Sequence, residues 1–222
     1  MNSVSNQLCV LGLGSRSTQF YIEALHERYH NCFGNYHTFP FILYQIDFNR
    51  INIHLPNQFD QLIPELTDCL NSISRLPTQR YLIPNITLHE TLDKIDHDLS
   101  IIHPIELTIN YCSAQDINEI VLFGSQYTMQ SSYISKALKA QGITTIIPSD
   151  QNILEIDDFR KKLYTHSDSE EDFSRYKKLI DHYTASYHVV IACTELSLNH
   201  KKLYNEKLID MAMLQIDHII PA

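Results

Sequence analysis

Residues Tyr187–Leu198 read Tyr-His-Val-Val-Ile-Ala-Cys-Thr-Glu-Leu-Ser-Leu. Its centre, Val189–Ala192, is an unbroken apolar run rich in β-branched residues, which predicts a strand buried on both faces of a parallel sheet. At the carboxyl end of that run, Cys193 is followed by a hydroxyl and a carboxylate. Ligands of open α/β sheets bind outside the carboxyl ends of strands, so Cys193 is a candidate for chemistry. The alternative is an inert buried thiol, because free cysteine is among the most buried residue types.

The composition describes a globular chain of 222 residues whose 17 basic and 26 acidic residues give a formal charge of −9. A negative field repels nucleic acid and anionic lipid, so we expect neither nucleic acid nor a membrane as a partner. The start of the chain lacks the basic region and the apolar core of a secretory signal. Five scattered cysteines without Cys-x-x-Cys spacing favour a reducing compartment. We therefore expect a cytoplasmic protein without a disulfide framework or a cysteine zinc site.

Strands and helices alternate along the sequence, which predicts an α/β fold. In the first half the order is strand, helix, strand, helix, strand, at Gln7–Leu13, Gln19–Tyr29, Phe39–Phe48, Phe59–Ile73 and Tyr81–Ile83. In the second half the same order is predicted at Glu119–Gly124, Met129–Ala140, Thr144–Pro148, Ser169–Ala185 and Val189–Ala192. A capping box opens the helix that begins near Ser169. A last helix is predicted at Leu208–Ile219.

The two halves share a sequence pattern. Val10–Leu25 parallels Val121–Leu138, and Ile83–Leu88 parallels Ile191–Leu196. The glycine turn and the later segment are 73 residues apart in the first half (85 − 12) and 69 residues apart in the second (193 − 124). Self-similarity of this size predicts a duplicated α/β unit.

We therefore expect two pseudo-symmetric halves, each a mostly parallel sheet flanked by helices, with the active site in the cleft between them. The first half is predicted at residues 1–97 and is completed by a C-terminal helix within residues 205–222. The second half is predicted at residues 98–204. In this arrangement Asn85 and Cys193 occupy equivalent, opposed positions.

Four blocks of the sequence resemble the cofactor-independent aspartate/glutamate racemase superfamily, which includes hydantoin racemase, maleate isomerase and arylmalonate decarboxylase. The blocks are the glycine turn at residues 12–18, Ile46–Phe48, Gly124–Met129 and Ile191–Leu196. The last block is similar to the family's Leu-Gly-Cys-Thr-Glu-Leu, and the match runs on to Leu208–Asp210. The resemblance implies an isomerase that acts at the α-carbon of an amino acid such as aspartate or glutamate. It also implies a reaction without cofactor or metal, and a homodimer.

The sequence departs from the family at the end of the first half. Where the family usually has Pro-Cys-Asn-Thr-x-His, Pro84–His89 reads Pro-Asn-Ile-Thr-Leu-His. Asn85 therefore replaces the first catalytic cysteine, and Ile86 replaces a substrate-binding asparagine, whereas Thr87 and His89 are retained. An amide has no accessible pKa at neutral pH, so Asn85 cannot exchange a proton.

Racemisation without a cofactor removes a weakly acidic α-proton from one face and returns a proton to the other face. The resemblance implies that Cys193 is one acid/base, because neighbouring groups can tune the pKa of a thiol. Three alternatives stay open. The chain is a racemase or epimerase whose other face is served by water or a neighbouring group, a one-base lyase of the arylmalonate decarboxylase type, or a catalytically impaired homologue that binds a small carboxylate. His89 is a further acid/base candidate, although its position beyond the turn favours a structural role.

The resemblance also implies hydrogen-bond donors around the substrate carboxylate, and the candidates are Ser15, Thr87, Thr128 and Thr194. Thr128 has an alternative interpretation as the N-cap of the helix that follows it. A second carboxylate on the substrate favours an arginine, for which Arg50 is the best candidate. Weaker candidates are Arg16, Lys161 and Lys162. For each of these cations the alternative is an ordinary surface charge.

Two other motifs compete with this interpretation. His26–His30 matches His-Glu-x-x-His, a zinc motif, but no clear third ligand follows, so we expect no metal. Gly12-Leu13-Gly14 is an incomplete Gly-x-Gly-x-x-Gly, and no acidic residue stands at a strand end about 20 residues later. We therefore expect neither nicotinamide nor flavin as a cofactor. The resemblance implies a small-molecule substrate, either an amino acid or another carboxylate.

Overall fold

Parallel strands form two separate sheets in the computed structural model, which describes residues 7–221. The chain divides into two units, one up to His103 together with the residues from Gln215 onward, and the other at Pro104–Leu214. Each unit has its own buried core. The predicted α/β class is confirmed, because helices flank a parallel sheet in each unit.

The first unit is built around β1 (Leu8–Gly12), which is completely buried and lies between two other strands. These neighbours are β2 (Phe41–Gln45) and β3 (Arg80–Leu82), and both run parallel to β1. The helices of this unit are α1 (Ser15–Phe33), α2 (Asn49–Asn52), α3 (Phe59–Ile73) and α4 (His89–Leu92). The predicted amphipathic helix over α3 is confirmed at both ends, and its Leu62, Leu66 and Ile73 are buried in the core.

The second unit repeats this order and adds a fourth strand. Its strands are β4 (Glu119–Phe123), β5 (Thr144–Ile146), β6 (His188–Ile191) and β7 (Leu208–Asp210), in the spatial order β5-β4-β6-β7. Its helices are α5 (Pro104–Ala114), α6 (Gln126–Gln130), α7 (Ser132–Ala140), α8 (Asp150–Thr165), α9 (Glu170–Thr184) and α10 (Thr194–Ser197). A 3₁₀ turn follows at His200–Lys202, and α11 (Met211–Ile219) crosses the boundary between the units. In both units the first strand lies between the second and the third, as a duplication predicts.

Several predicted boundaries were wrong for local reasons. Helix α1 begins at Ser15 rather than Gln19, because Thr18 Oγ1 accepts a hydrogen bond from Leu13 N and the Thr18 amide bonds back to Gly14 O. Residues 15–18 of the glycine turn therefore form the first turn of the helix, and Gly14 is its N-cap residue. The last helix begins at Met211 rather than Leu208, because Leu208–Asp210 pair with β6 as a strand.

Helix α8 was not predicted. Ser149 caps it by accepting a hydrogen bond from the Asn152 amide, and its buried face includes Ile153, Ile156 and Phe159. The helix packs against both α6 and α10, which follow the carboxyl ends of β4 and β6. Side chains of α8 therefore lie near the carboxyl ends of β4 and β6, where the sequence predicts the functional site.

Candidate active site

Cys193 lies just beyond the carboxyl end of β6, as the buried apolar run predicts. Its side chain is buried, and Sγ donates a hydrogen bond of 3.0 Å to Oε2 of Glu195. Thr194 Oγ1 donates to the same carboxylate oxygen at 3.4 Å. The thiol, the hydroxyl and the carboxylate that follow β6 therefore form one hydrogen-bonded group.

The pKa of the Cys193 thiol is raised well above its ordinary value. Burial is the largest cause, the Glu195 charge adds to it, and the Arg160 charge opposes it. Cys193 is therefore a thiol, not a thiolate, at neutral pH. A buried thiol that is bonded to a carboxylate and feels the charge of a guanidinium is a proton donor whose acidity depends on both charges.

Arg160 enters this group from α8. Its Nε donates to Asp157 Oδ1 at 2.8 Å, and Asp157 also pairs with Lys161 at 2.7 Å. Burial alone would raise the pKa of Asp157, but the bonds from Lys161 and Arg160 outweigh it and hold that pKa below its ordinary value. Asp157 Oδ1 also accepts a hydrogen bond from the Gln126 amide at the start of α6. The ionised carboxylate thus fixes Arg160 relative to α6.

We expect Glu195→Gln and Arg160→Met to change the reactivity of Cys193 in opposite directions. Glu195→Gln removes a charge that raises the pKa of the thiol, so alkylation by iodoacetamide at about pH 8.5 should accelerate. Arg160→Met removes a charge that lowers this pKa, so alkylation should slow down. Each change of one in the pKa of the thiol changes the thiolate fraction about tenfold, and the alkylation rate changes in the same direction by a smaller factor. The rates are measured by mass spectrometry in a Cys32→Ser background, which removes an exposed thiol.

Glu171→Gln is the matched control for this pair, because Glu171 is an exposed carboxylate on α9 outside the thiol group. It should leave the alkylation rate unchanged. If both test variants changed the rate in the same direction, the electrostatic account of Cys193 would be wrong.

Thr128 lies beside the same strand end. Its side chain is buried and Oγ1 shares a 2.8 Å hydrogen bond with Ser125 Oγ. A side chain in place of Gly124 would come within 3.0 Å of Thr128 and 3.2 Å of the Ala192 carbonyl oxygen, so glycine permits this close approach. The interpretation of Thr128 as an N-cap was wrong, because Ser125 caps α6 by accepting from the Thr128 amide.

A second buried polar group lies behind α10. Ser197 Oγ donates to Asp210 Oδ1 at 2.8 Å and is 3.3 Å from the Cys193 carbonyl oxygen. Burial raises the pKa of Asp210 to about 6. Among the described residues, Asp210 Oδ2 and the Tyr176 hydroxyl are both buried without a hydrogen-bond partner. Burial raises the pKa of Tyr176, and the charges of Asp210 and Cys193 raise it further.

In the first unit, Asn85 has a structural role that the sequence did not reveal. Its Oδ1 accepts a hydrogen bond from the Leu88 amide at 3.0 Å, and its carbonyl oxygen accepts one from His89 Nδ1 at 2.9 Å. His89 is fully buried, and burial, together with the charge of His103, lowers its pKa to about 3. The ring is therefore neutral above acidic pH, which favours a structural role over that of a substitute acid/base.

Asn85→Ala is expected to reduce the free energy of unfolding by about 0.5–2 kcal/mol, because the Leu88 amide loses its acceptor. Asn85→Asp keeps an oxygen acceptor and should be close to the natural protein in stability. Urea denaturation with equal slopes for all three proteins measures the difference. Equal stability of the alanine and aspartate variants would show that this hydrogen bond contributes nothing.

The other candidates of the first unit are more dispersed. Ser15 is exposed at the first position of α1, and Thr87 is half-buried in the same turn as Asn85. Arg50 lies on α2 and forms a 2.7 Å ion pair with Glu65 of α3. The structure thus groups Cys193 with two of the predicted threonines in the second unit, and Asn85 with one in the first.

The weaker cation candidates on α8 are paired with acidic side chains. Lys161 pairs with Asp157, and Lys162 pairs with Asp158 at 3.0 Å and Asp172 at 2.8 Å. These ion pairs favour the interpretation of both lysines as structural charges. The neighbouring Arg160 was missed, because the helix that carries it was missed.

The competing zinc motif has a different local explanation. His26 Nδ1 accepts a hydrogen bond from the Phe39 amide at 3.2 Å, and its ring packs against Phe41. Within residues 7–221, no group of three or more His, Cys, Asp or Glu side chains is arranged to hold a metal ion. Over the same residues, no helix is both long enough and apolar enough to cross a membrane.

Several solved structures that share this fold are of racemases or racemase homologues. A candidate Asp/Glu racemase from Yersinia pestis superposes with a TM-score of 0.81 at 22% sequence identity, with 97% of each chain covered. An aspartate racemase homologue from Pyrococcus horikoshii gives 0.80 at 18% identity, again with 97% of each chain covered. The aspartate racemase of Picrophilus torridus gives 0.76 at 16% identity, covering 97% of this chain and 93% of the other. The two-sheet architecture is therefore the fold of the Asp/Glu racemases.

The sequence gives the family directly. The family model for Asp/Glu/hydantoin racemases matches residues 10–218, so the chain belongs to this family. No curated protein sequence is significantly similar to the chain. The resemblance drawn from the four sequence blocks is thereby confirmed.

Proposed function

We propose that this chain is an isomerase that moves the proton on the α-carbon of an amino acid, with Cys193 as the acid/base. The observation that carries the proposal is the 3.0 Å hydrogen bond from Cys193 Sγ to Glu195 at the end of a buried strand. A positioned thiol that is linked to a carboxylate can donate a proton to a carbanion and recover it. Aspartate and glutamate are the first substrates to test, because solved relatives are aspartate and glutamate racemases.

Glu195 gives the thiol a second partner for proton transfer. Its side chain is half-buried, whereas Cys193 is almost completely buried. When Cys193 protonates the α-carbon, a thiolate remains, and the Glu195 carboxylate can relay a proton to it by taking one from solvent and passing it to Sγ. The Arg160 charge, which lowers the pKa of Cys193, stabilises the thiolate during this exchange.

The substrate carboxylate needs donors that are already in place when negative charge develops. In the proposal Thr128 and Thr194 supply buried hydroxyls beside Cys193, and Arg160 supplies a positive charge. Ser15, Thr87 and Arg50 are proposed as the contribution of the first unit. Arg50 would have to exchange its ion pair with Glu65 for a pair with the substrate.

A one-base lyase is the second candidate, and the chemistry of Asn85 favours it. The Asn85 amide does not titrate, and its Oδ1 is already bonded to the Leu88 amide. The raised pKa of Cys193 keeps the thiol protonated, which suits a group that protonates a carbanion after carbon dioxide leaves. A single protonated thiol can complete that reaction without a second acid/base.

Deuterium exchange separates these candidates. The protein is incubated in deuterated water with L- and D-aspartate, L- and D-glutamate and other amino acids, and the α-hydrogen is followed by NMR. Exchange with inversion supports the isomerase, and exchange with retention supports chemistry on one face only. No exchange, combined with carbon dioxide release from a malonate-type acid, supports the lyase. Silence in both assays, with saturable binding of a carboxylate, contradicts both enzymes and supports the binding protein.

A further inference from the structure

Two buried polar atoms of the second unit lack a hydrogen-bond partner among the described residues. They are the Tyr176 hydroxyl on α9 and Asp210 Oδ2 at the end of β7. The exposed fraction is 1% for the Tyr176 side chain and 9% for Asp210, so neither group has free access to solvent. A buried polar atom without a partner is costly, and each of these two atoms therefore needs an explanation.

The other oxygen of Asp210 is fully used. Oδ1 accepts hydrogen bonds from Ser197 Oγ at 2.8 Å, from the Ala212 amide at 2.9 Å and from the Met213 amide at 3.3 Å. Because these donors occupy Oδ1, a proton on the carboxyl group would reside on Oδ2. Oδ2 is therefore the oxygen that needs a partner, whether the group is ionised or neutral.

The Tyr176 ring is held between two other rings of the core. It stacks on Phe159 of α8 at 4.7 Å between ring centroids, and it lies 6.0 Å from the ring of Phe123, the last residue of β4. The charges that act on its hydroxyl are those of Asp210 and Cys193, and they raise its pKa beyond the effect of burial. The hydroxyl thus lies within electrostatic reach of both groups and stays a neutral phenol at neutral pH.

A phenol can satisfy this carboxyl oxygen in both of its protonation states. The Tyr176 hydroxyl donates to Oδ2 when Asp210 is ionised, and it accepts from the Oδ2 proton when Asp210 is neutral. Pairing the two atoms, directly or across one ordered water, removes the cost of both. The two unpartnered atoms therefore complement each other.

We propose that Tyr176 is a positioning residue for Cys193, and that it acts by hydrogen bonding to Asp210 Oδ2. The bond fixes the carboxyl group that holds Ser197 in α10. Ser197 Oγ in turn lies 3.3 Å from the carbonyl oxygen of Cys193, the N-cap residue of α10. The effect on catalysis rests on the proposed function, whereas the hydrogen bond can be measured without any substrate.

Stability separates a paired hydroxyl from an idle one. Tyr176→Phe keeps the ring that packs against Phe123 and Phe159 and removes only the hydroxyl. If the hydroxyl pairs with Asp210, the urea midpoint at pH 7 should fall, because the buried carboxylate loses its donor. If the hydroxyl is idle, the substitution removes an unsatisfied buried donor. An unchanged or higher midpoint would therefore overturn the proposal.

A double-mutant cycle identifies the partner. Asp210→Ser keeps an oxygen that can cap α11 but removes Oδ2, so Tyr176→Phe should lower the midpoint by less than half as much in this background. Tyr183→Phe is the matched control, because the Tyr183 hydroxyl is also on α9 but accepts from Asn152 Nδ2 at 2.9 Å. It should have the same effect in both backgrounds. Equal effects of Tyr176→Phe in both backgrounds would contradict pairing with Asp210.

The pKa of Asp210 is a readout that a change in packing alone would not move. Carbon-13 NMR of the carboxyl group, assigned by its absence in Asp210→Asn, follows the titration between about pH 4 and 9. A hydroxyl that donates to the carboxylate lowers this pKa, so the pKa should rise by about one in Tyr176→Phe. It should not change in Tyr183→Phe. An unchanged pKa in Tyr176→Phe would show that the hydroxyl does not donate to Oδ2.

The effect on catalysis is measured separately. In Tyr176→Phe, kcat for α-hydrogen exchange should fall about tenfold with KM within about twofold, because Cys193 is held less firmly while the substrate contacts remain. Tyr183→Phe should leave both constants unchanged. A natural kcat in Tyr176→Phe would overturn the positioning role. If the natural protein catalysed no exchange, that role would fail together with the proposed function, and the urea midpoints and the Asp210 pKa would still decide the hydrogen bond.

Discussion

Cys193→Ser is expected to reduce α-hydrogen exchange by about 10²–10⁴-fold, the usual contribution of general acid–base catalysis. A serine hydroxyl is a far weaker acid than a thiol. It therefore protonates the carbanion poorly, and its conjugate base is not available to remove the α-proton. The variant keeps a hydrogen-bond donor toward Glu195, so the local geometry should persist. Initial rates of deuterium incorporation, measured by NMR over a range of pH, give the size of the loss.

Cys112→Ser is the matched control for this prediction. Cys112 is a fully buried thiol in the same unit, on α5, and burial raises its pKa to about 11. It has the same chemistry and similar burial, but it lies outside the thiol group of β6 and α10. Its replacement should leave the rate nearly unchanged once the folded fraction is equal. If Cys193→Ser retained more than a tenth of the natural rate, Cys193 would not be the acid/base.

The sequence was most informative where one physical signal dominated. The amphipathic period of Phe59–Ile73 predicted α3 at both ends, and the Ser169–Asp172 capping box predicted the start of α9. The apolar run before Cys193 predicted a buried strand followed by polar groups. In each case the decisive interaction is local, so it can be identified without knowledge of the tertiary structure.

The sequence was least informative where tertiary contacts decide the outcome. Helix α8 has the spacing of a buried face at Ile153, Ile156 and Phe159, but Asp157 interrupts that face. Asp157 is buried because Arg160 and Lys161 neutralise it, and this compensation is visible only in the structure. Leu208–Asp210 are too few to show a period, and their pairing with β6 makes them a strand. Arg160 and Asp210 were therefore missed as candidate residues.

Asp210→Asn is expected to stabilise the protein at neutral pH by up to about 3 kcal/mol. Burial raises the pKa of Asp210 from 3.8 to about 6, so the folded state holds the proton more tightly than the unfolded state. Stability attributable to the neutral carboxyl group is therefore present below about pH 4 and is lost as the pH rises through about 6. Asparagine stays neutral, and its Oδ1 can still accept from Ser197 and from the Ala212 amide. A pKa difference of about two corresponds to roughly 3 kcal/mol.

The pH profile distinguishes removal of a buried charge from a general change in packing. Urea midpoints of the two proteins should coincide near pH 4 and separate progressively up to about pH 7, whereas a constant difference would contradict titration of Asp210 in this range. Asp210→Ala is the control, because it also removes the acceptor of the Ala212 amide and should destabilise at every pH. If Asp210→Asn were more stable than the natural protein but catalysed α-hydrogen exchange more slowly, the carboxylate would serve function and reduce stability. Ser197 links Asp210 to the backbone of Cys193. The function of the carboxylate would then be to position the thiol.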